Sequence, residues 1–164
     1  MVVTVFLDFG LKGDESPIGR VILELNQSTP KAAENFRQFC TGEFRPNGLP
    51  VGYKGCKILD VSDGLIRTGD FMYNNGTGSQ SIYGSAYFPS EDLTMPVVKH
   101  SLVMWNQGSP NTDGCQFLLT TKDMPEMNGK YQVVGKIVQG GSVVDKLRRY
   151  SDYSRLCILE SGEM

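Results

Sequence analysis

The sequence predicts a mainly β fold, an antiparallel barrel whose open ends are covered by two α-helices. Three observations predict it. Short apolar runs with strand periodicity recur at close intervals. The chain carries 19 Gly and 8 Pro, which promise many turns rather than long helices. Only two windows have helical periodicity, one beginning near residue 30 and one near residue 142. At 164 residues the chain is read as one domain spanning 1–164, too short for two separate cores.

Val3, Val5, Leu7 and Phe9 alternate as a first strand, and Gly19 to Leu25 reads as a second. The turn chemistry of Gly10 to Pro17 makes the two a hairpin. Thr29-Pro30 reads as a helix N-cap followed by proline at the first helical position. Ala32, Ala33, Phe36, Phe39 and Cys40 then share a face, and Gly42 stops the helix. From Gly42 to Asp92 the chain is rich in Gly, Asn, Ser and Tyr, a long loop-like stretch of the kind that builds functional surfaces. Strand-like runs follow near Leu102–Trp105, Cys115–Thr121 and Tyr131–Val138. Ser142 is expected to cap a second helix with Val143, Val144, Leu147 and Tyr150 on one side, and Leu156 to Glu160 is a last strand.

Lys and Arg number 16 against 18 Asp and Glu, a net charge of −2, so no basic field is available for direct nucleic-acid binding. Met1–Phe9 holds no Lys or Arg and does not read as a secretion signal. No apolar run approaches the roughly 20 residues that span a bilayer. The expectation is a cytoplasmic or nuclear protein, not secreted and not in a membrane. Cys40, Cys56, Cys115 and Cys157 form no CxxC pair, and the chain has 1 His, which argues against zinc and for buried, reduced thiols. No cofactor or metal is expected. His100 is assigned a structural role, and Lys146, Arg148 and Arg149 a solvated positive patch.

Five segments carry a more specific signal. They are Glu34-Asn35-Phe36-Arg37-Gln38-Phe39-Cys40-Thr41-Gly42-Glu43, Gly52-Tyr53-Lys54-Gly55, Asn75-Gly76-Thr77-Gly78 with Ser81-Ile82-Tyr83-Gly84, Pro110-Asn111-Thr112-Asp113-Gly114-Cys115-Gln116-Phe117, and Asn128-Gly129-Lys130 leading to Val134-Gly135-Lys136. In this order and spacing they resemble cyclophilins over nearly the whole chain. The segment 36–45, the Gly-Leu-Pro at 48–50 and the closing Ser161 to Met164 look most like the spliceosome-associated H subfamily. The resemblance implies a closed eight-stranded antiparallel barrel capped by two α-helices, and peptidyl-prolyl cis–trans isomerase activity on its outer face. Rotation about that bond faces a barrier of about 18–20 kcal/mol. Catalysis needs no covalent bond. It needs an apolar socket for the ring, a clamp on the flanking backbone, and a donor that favours the twisted amide.

The resemblance also locates where this chain departs. The family's catalytic arginine falls at Asp60, a carboxylate without a proton to donate at neutral pH. The socket wall falls at Leu65 and Ile66, one residue is missing before Gly69, and Arg67 or Thr68 stands where a glutamine is usual. Trp105 replaces an alanine, Ser109 is inserted, Glu126 stands where the family has tryptophan, and Tyr131 replaces a histidine. Leu118 and Met127 keep apolar walls, Gly76 keeps a close-approach glycine, and Asn106 and Gln116 keep the amides that bind peptide backbone in the family. The same two amides serve equally as rim groups that satisfy neighbouring backbone atoms.

The implied function is a weak or inactive isomerase acting as a module for proline-containing peptides or proteins, with a spliceosomal protein as a candidate partner. Cyclosporin binding is expected to be weak or absent, and the protein to be a monomer. The alternative is an active isomerase assisting protein folding, in which Arg67 enters the pocket and supplies the missing cation. A scaffold role through a face away from the groove is a third reading.

Overall fold

The computed structural model describes residues 2–14 and 16–164. In chain order the elements are β1 (Thr4–Leu11), β2 (Gly19–Leu25), α1 (Pro30–Thr41), β3 (Asp60–Ser62), β4 (Leu65–Thr68), β5 (Ser101–Met104), β6 (Phe117–Thr120), a 3-10 turn (Pro125–Met127), β7 (Val133–Gln139), α2 (Gly141–Leu147) and β8 (Leu156–Glu163). The strands form one 8-stranded sheet in the order β3-β4-β6-β5-β7-β2-β1-β8. Every paired neighbour is antiparallel. The segment leading into β3 reaches the far edge of that order. Lys57 bridges Cys157, the Ile58 N–H donates to the Leu156 carbonyl at 3.0 Å, and the Ile158 N–H donates to the Cys56 carbonyl at 2.9 Å. The mainly β architecture with two helices is the one the sequence predicts.

Alternation builds the interior. Val5, Leu7 and Phe9 of β1 and Val21 and Leu23 of β2 are all buried in the barrel core. Helix α1 lays Ala32, Phe36, Phe39 and Cys40 on that core. The Phe36 ring meets Tyr53 at 5.0 Å and Phe117 at 4.9 Å between centroids, and Tyr53 meets Phe117 at 4.8 Å. The Tyr53 hydroxyl donates to the Cys115 carbonyl at 2.7 Å inside this aromatic group. All four cysteines are free and buried, matching the expectation of reduced thiols.

Three sequence expectations change. Thr29 precedes α1, but its hydroxyl is buried without a hydrogen-bond partner among the described residues and does not cap the helix. The Glu91 carboxylate takes that role, accepting the Lys31 N–H at 3.1 Å and the Ala32 N–H at 2.8 Å. Ser142 lies inside α2 and makes no cap, because Gly140 already turns the chain there with φ +89°. The stretch from 42 to 92 is not all loop. It contains the β3–β4 hairpin, with Asp63-Gly64 between the paired residues Ser62 and Leu65.

His100 accounts for the seating of α2: its Nε2 lies 3.1 Å from the Asp145 Oδ1 on that helix. Arg148, part of the positive patch, donates to Asp63 at 2.6 Å and is thereby tied to the β3–β4 turn. Replacing Tyr53 by Phe keeps the ring packing and leaves the buried Cys115 carbonyl without its donor. A loss of about 1–3 kcal/mol is expected, read as a lower denaturant midpoint at unchanged slope. An unchanged midpoint would assign Tyr53 a packing role alone.

Candidate functional site

The candidate site lies on the outer face of β4, β6 and β5. Residues directly opposite in an antiparallel pair share a face, and along a strand the faces alternate. Arg67 is opposite Leu118, and Leu118 is opposite Val103. These three therefore line one outward row. Leu118 and Val103 belong to a second hydrophobic cluster, separate from the barrel core, with Val97, Met124, Met127 and Val133. Leu65, Met95, Trp105 and Tyr131 pack against it.

This cluster brings together Leu65, Leu118, Met127, Trp105 and Tyr131 of the residues singled out from sequence. It does not include Ile66. One step along β4 turns Ile66 to the opposite face, where it is fully buried in the barrel core with Phe117 and Leu119. The cluster's floor is covered: Leu118 is 0% and Met127 7% exposed. Trp105 stacks on Tyr131 with centroids 6.0 Å apart and an interplanar angle of 18°. The guanidinium carbon of Arg67 lies 5.0 Å from the Trp105 ring centroid. Aromatic rings and a cation thus roof the apolar patch.

The two amides are engaged by the protein itself. Gln116 is 3% exposed, and its Nε2 donates to the carbonyls of Gly76 at 3.0 Å and Gly78 at 2.8 Å. Its Oε1 accepts the Arg67 Nη1 hydrogen bond at 2.9 Å. Asn106 is fully buried; its Nδ2 donates to the Lys130 carbonyl at 2.7 Å and its Oδ1 accepts the Gly108 N–H at 2.9 Å. The Asn106 carbonyl accepts the Ser109 N–H at 3.0 Å, across a turn in which Gln107 and Gly108 both have positive φ. Ser109 lies within this turn.

Gly76 and Gly78 are placed by a residue the sequence reading passed over. Asp70 is fully buried, and its carboxylate accepts five backbone N–H groups. Met72 and Tyr73 donate to Oδ1, and Asn75, Gly76 and Gly78 to Oδ2, at distances from 2.9 to 3.2 Å. Burial pushes its pKa up, but the amides of Tyr73, Gly78, Asn75 and Gly76 together outweigh that and hold it below the ordinary carboxylate range. A side chain at 78 would bring its Cβ to 2.0 Å from Asp70 Oδ1, and one at 76, where φ is +89°, to 3.3 Å from the Arg67 guanidinium nitrogens. The only sequence signal for Asp70 is an acid four residues before the small polar run that begins at Asn74.

Asp60 stands opposite Arg67 in the β3–β4 pair, on the same face and half-buried. The acid and the guanidinium are cross-strand neighbours, yet the bond Arg67 makes among the described residues goes to Gln116. Among the described residues no group of three or more His, Cys, Asp or Glu side chains could hold a metal ion, and no helix is long and apolar enough to cross a membrane.

A model of the family described as cyclophilin type peptidyl-prolyl cis-trans isomerase/CLD matches residues 9–157. The protein named peptidyl-prolyl cis-trans isomerase H of Mycosarcoma maydis is 43% identical over 127 residues, covering 76% of this chain and 81% of that protein. Its namesake in Rhizopus delemar is 42% identical over 142 residues, covering 83% of this chain and 76% of its own. Peptidyl-prolyl cis-trans isomerase CYP22 of Arabidopsis thaliana is 41% identical over 142 residues, covering 85% of this chain and 70% of that protein.

Asp113, within the loop that leads to Gln116, is the site region's pH-sensitive group. It is fully buried; Oδ2 accepts the Gln132 Nε2 hydrogen bond at 2.8 Å and Oδ1 has no partner among the described residues. The Gln132 Oε1 in turn accepts the Glu91 N–H at 2.7 Å. Burial raises the Asp113 pKa to about 6, against the Gln132 hydrogen bond and with help from the Glu91 charge. An unfolded Asp titrates near ~3.9, so between about pH 4 and 6 the folded state holds the extra proton and stability falls as pH rises. Two units correspond to about 3 kcal/mol lost by pH 7. Asp113→Asn is expected to flatten that decline and to raise the melting temperature at pH 7 relative to the parent. Parallel melting-temperature profiles for the two proteins from pH 4 to 7 would remove Asp113 as the cause.

Proposed function

Because the chain belongs to the cyclophilin-type peptidyl-prolyl cis-trans isomerase family, we propose that its outer groove binds proline-containing peptides or proteins while turning them over only weakly. The observation that carries the reading is the roofed apolar patch: Leu118, at its floor, is 0% exposed beneath the Trp105–Tyr131 stack. A proline ring entering the patch has to displace part of that stack, which costs contact energy before any rotation begins. Asp60 adds to this, since a carboxylate at the β3 position offers acceptors where a twisted amide calls for a donor. Losing one oriented donor costs about two to three decades in rate in comparable sites.

The module works as one domain and as a monomer, without a cofactor, in the cytoplasm or nucleus. A spliceosomal protein is the candidate partner, supported by the identity to relatives named isomerase H and by the subfamily likeness of segments 36–45 and 48–50.

Exchange NMR on an Ala-Pro-Phe peptide, with an active cyclophilin measured alongside, tests the reading. Peptide resonances are expected to shift or broaden near stoichiometric protein, with cis–trans exchange about a hundredfold or more slower than with the active enzyme. Trp105 is the chain's 1 tryptophan, so its emission is expected to change as peptide displaces it from Tyr131. Strong exchange cross-peaks at sub-stoichiometric protein would establish an efficient enzyme instead. Unchanged resonances and unchanged emission would rule the groove out as the binding face.

A further inference from the structure

We propose that Arg67 is the residue of this groove that touches the prolyl amide, donating from β4 to the amide nitrogen as the bond twists; the proposal rests on reading the groove as a proline-peptide site. Resonance makes the planar amide nitrogen a poor acceptor. Rotation towards the perpendicular geometry localises the lone pair on nitrogen, and an N–H donor aimed there binds the twisted form better than either planar one. The groove therefore needs a donor beside the apolar patch, fixed before the peptide arrives.

Arg67 meets each part of that requirement. It rises from β4 directly opposite Leu118, so its guanidinium stands at the edge of the patch that would hold the ring. Two neighbours outside the displaceable ring stack fix it: the Gln116 Oε1 at 2.9 Å, and Gly76, where even a Cβ would come within 3.3 Å of both Nη atoms. A guanidinium presents five N–H donors, and among the described residues one is used, towards Gln116. The others remain to bind a ligand. Clamping has also removed much of the rotamer freedom that an exposed Arg would lose on binding. Gln116 is a positioning residue in this arrangement: its Nε2 is anchored on Gly76 and Gly78, which turns Oε1 towards Arg67. The β3–β4 pair thus carries its acid on β3, at Asp60, and its donor on β4.

The test uses the intact protein with the Ala-Pro-Phe peptide, following affinity by peptide line shifts and turnover by exchange cross-peaks in the same samples. Arg67→Ala is expected to leave the dissociation constant within about threefold and to return exchange to the uncatalysed background. Arg67→Lys, which keeps the charge and loses the planar fork, is expected to retain about a tenth of the parental acceleration. It carries the test if circular dichroism shows that Arg67→Ala does not fold. Parental exchange rates in both variants would overturn Arg67 while leaving the peptide site intact. So would a parent protein that binds the peptide without accelerating exchange. A parent that binds no peptide overturns the groove reading, and this proposal with it.

Discussion

A single buried carboxylate organises the outer face. Asp70 sits where β4 has ended and no regular structure is available to pair the following amides. Five N–H groups converge on it instead, so that the loop from Phe71 to Gly78 takes one shape without helix or ladder. An isolated carboxylate in that place would carry a desolvation cost of several kcal/mol. Hydrogen bonding reverses the balance and keeps the group ionised. The carbonyls of Gly76 and Gly78 then face Gln116, the Gln116 amide has one satisfied orientation, and its oxygen faces Arg67. The guanidinium, in turn, lies on Trp105, which lies on Tyr131. The groove is thus the last link of a chain that begins in a buried acid.

Legibility in the sequence followed how local the physics was. β1, β2 and the buried face of α1 were readable because their apolar periods are complete within each segment. β3 and β4 were not, since β3 contains Asp60 and Ser62 and β4 contains Arg67 and Thr68; only Asp63-Gly64 between them signalled a hairpin. The cap on α1 was misread for a related reason. Thr29 satisfied the local rule, but the group that bonds the helix amides is Glu91, about sixty residues away in sequence. Among the site residues, Leu65, Leu118, Met127, Trp105 and Tyr131 were legible as neighbours through resemblance, while the inward turn of Ile66 required the register of β4 on β6. Asp70 and Asp113 left no periodic trace, because each acts through backbone or amide partners that only the folded chain assembles.

The site also separates packing from recognition. Its apolar floor, Leu118 and Met127, is nearly inaccessible beneath partly buried rings, whereas its polar members bond to the protein first. Such a surface is stiff in its frame and adjustable in its cover, for the frame, Arg67 included, is hydrogen-bonded while the cover is a stack of two rings. Binding at such a face selects ligands that can replace the stack against the apolar residues it covers.

The seam at β8 bears on how the protein reaches this state. β8 pairs along β1 on one side and meets Gly55–Ile58 on the other, joining the two ends of the strand order. During synthesis from the N-terminus, every other strand of the sheet leaves the ribosome before it. Until β8 arrives, the nascent sheet keeps an unpaired edge at β1 and another beside β3, the kind of edges that attract foreign strands. Completion therefore waits for the pairing of β1 with β8, a contact of long sequence separation of the kind that slows folding and leaves edges open in the meantime.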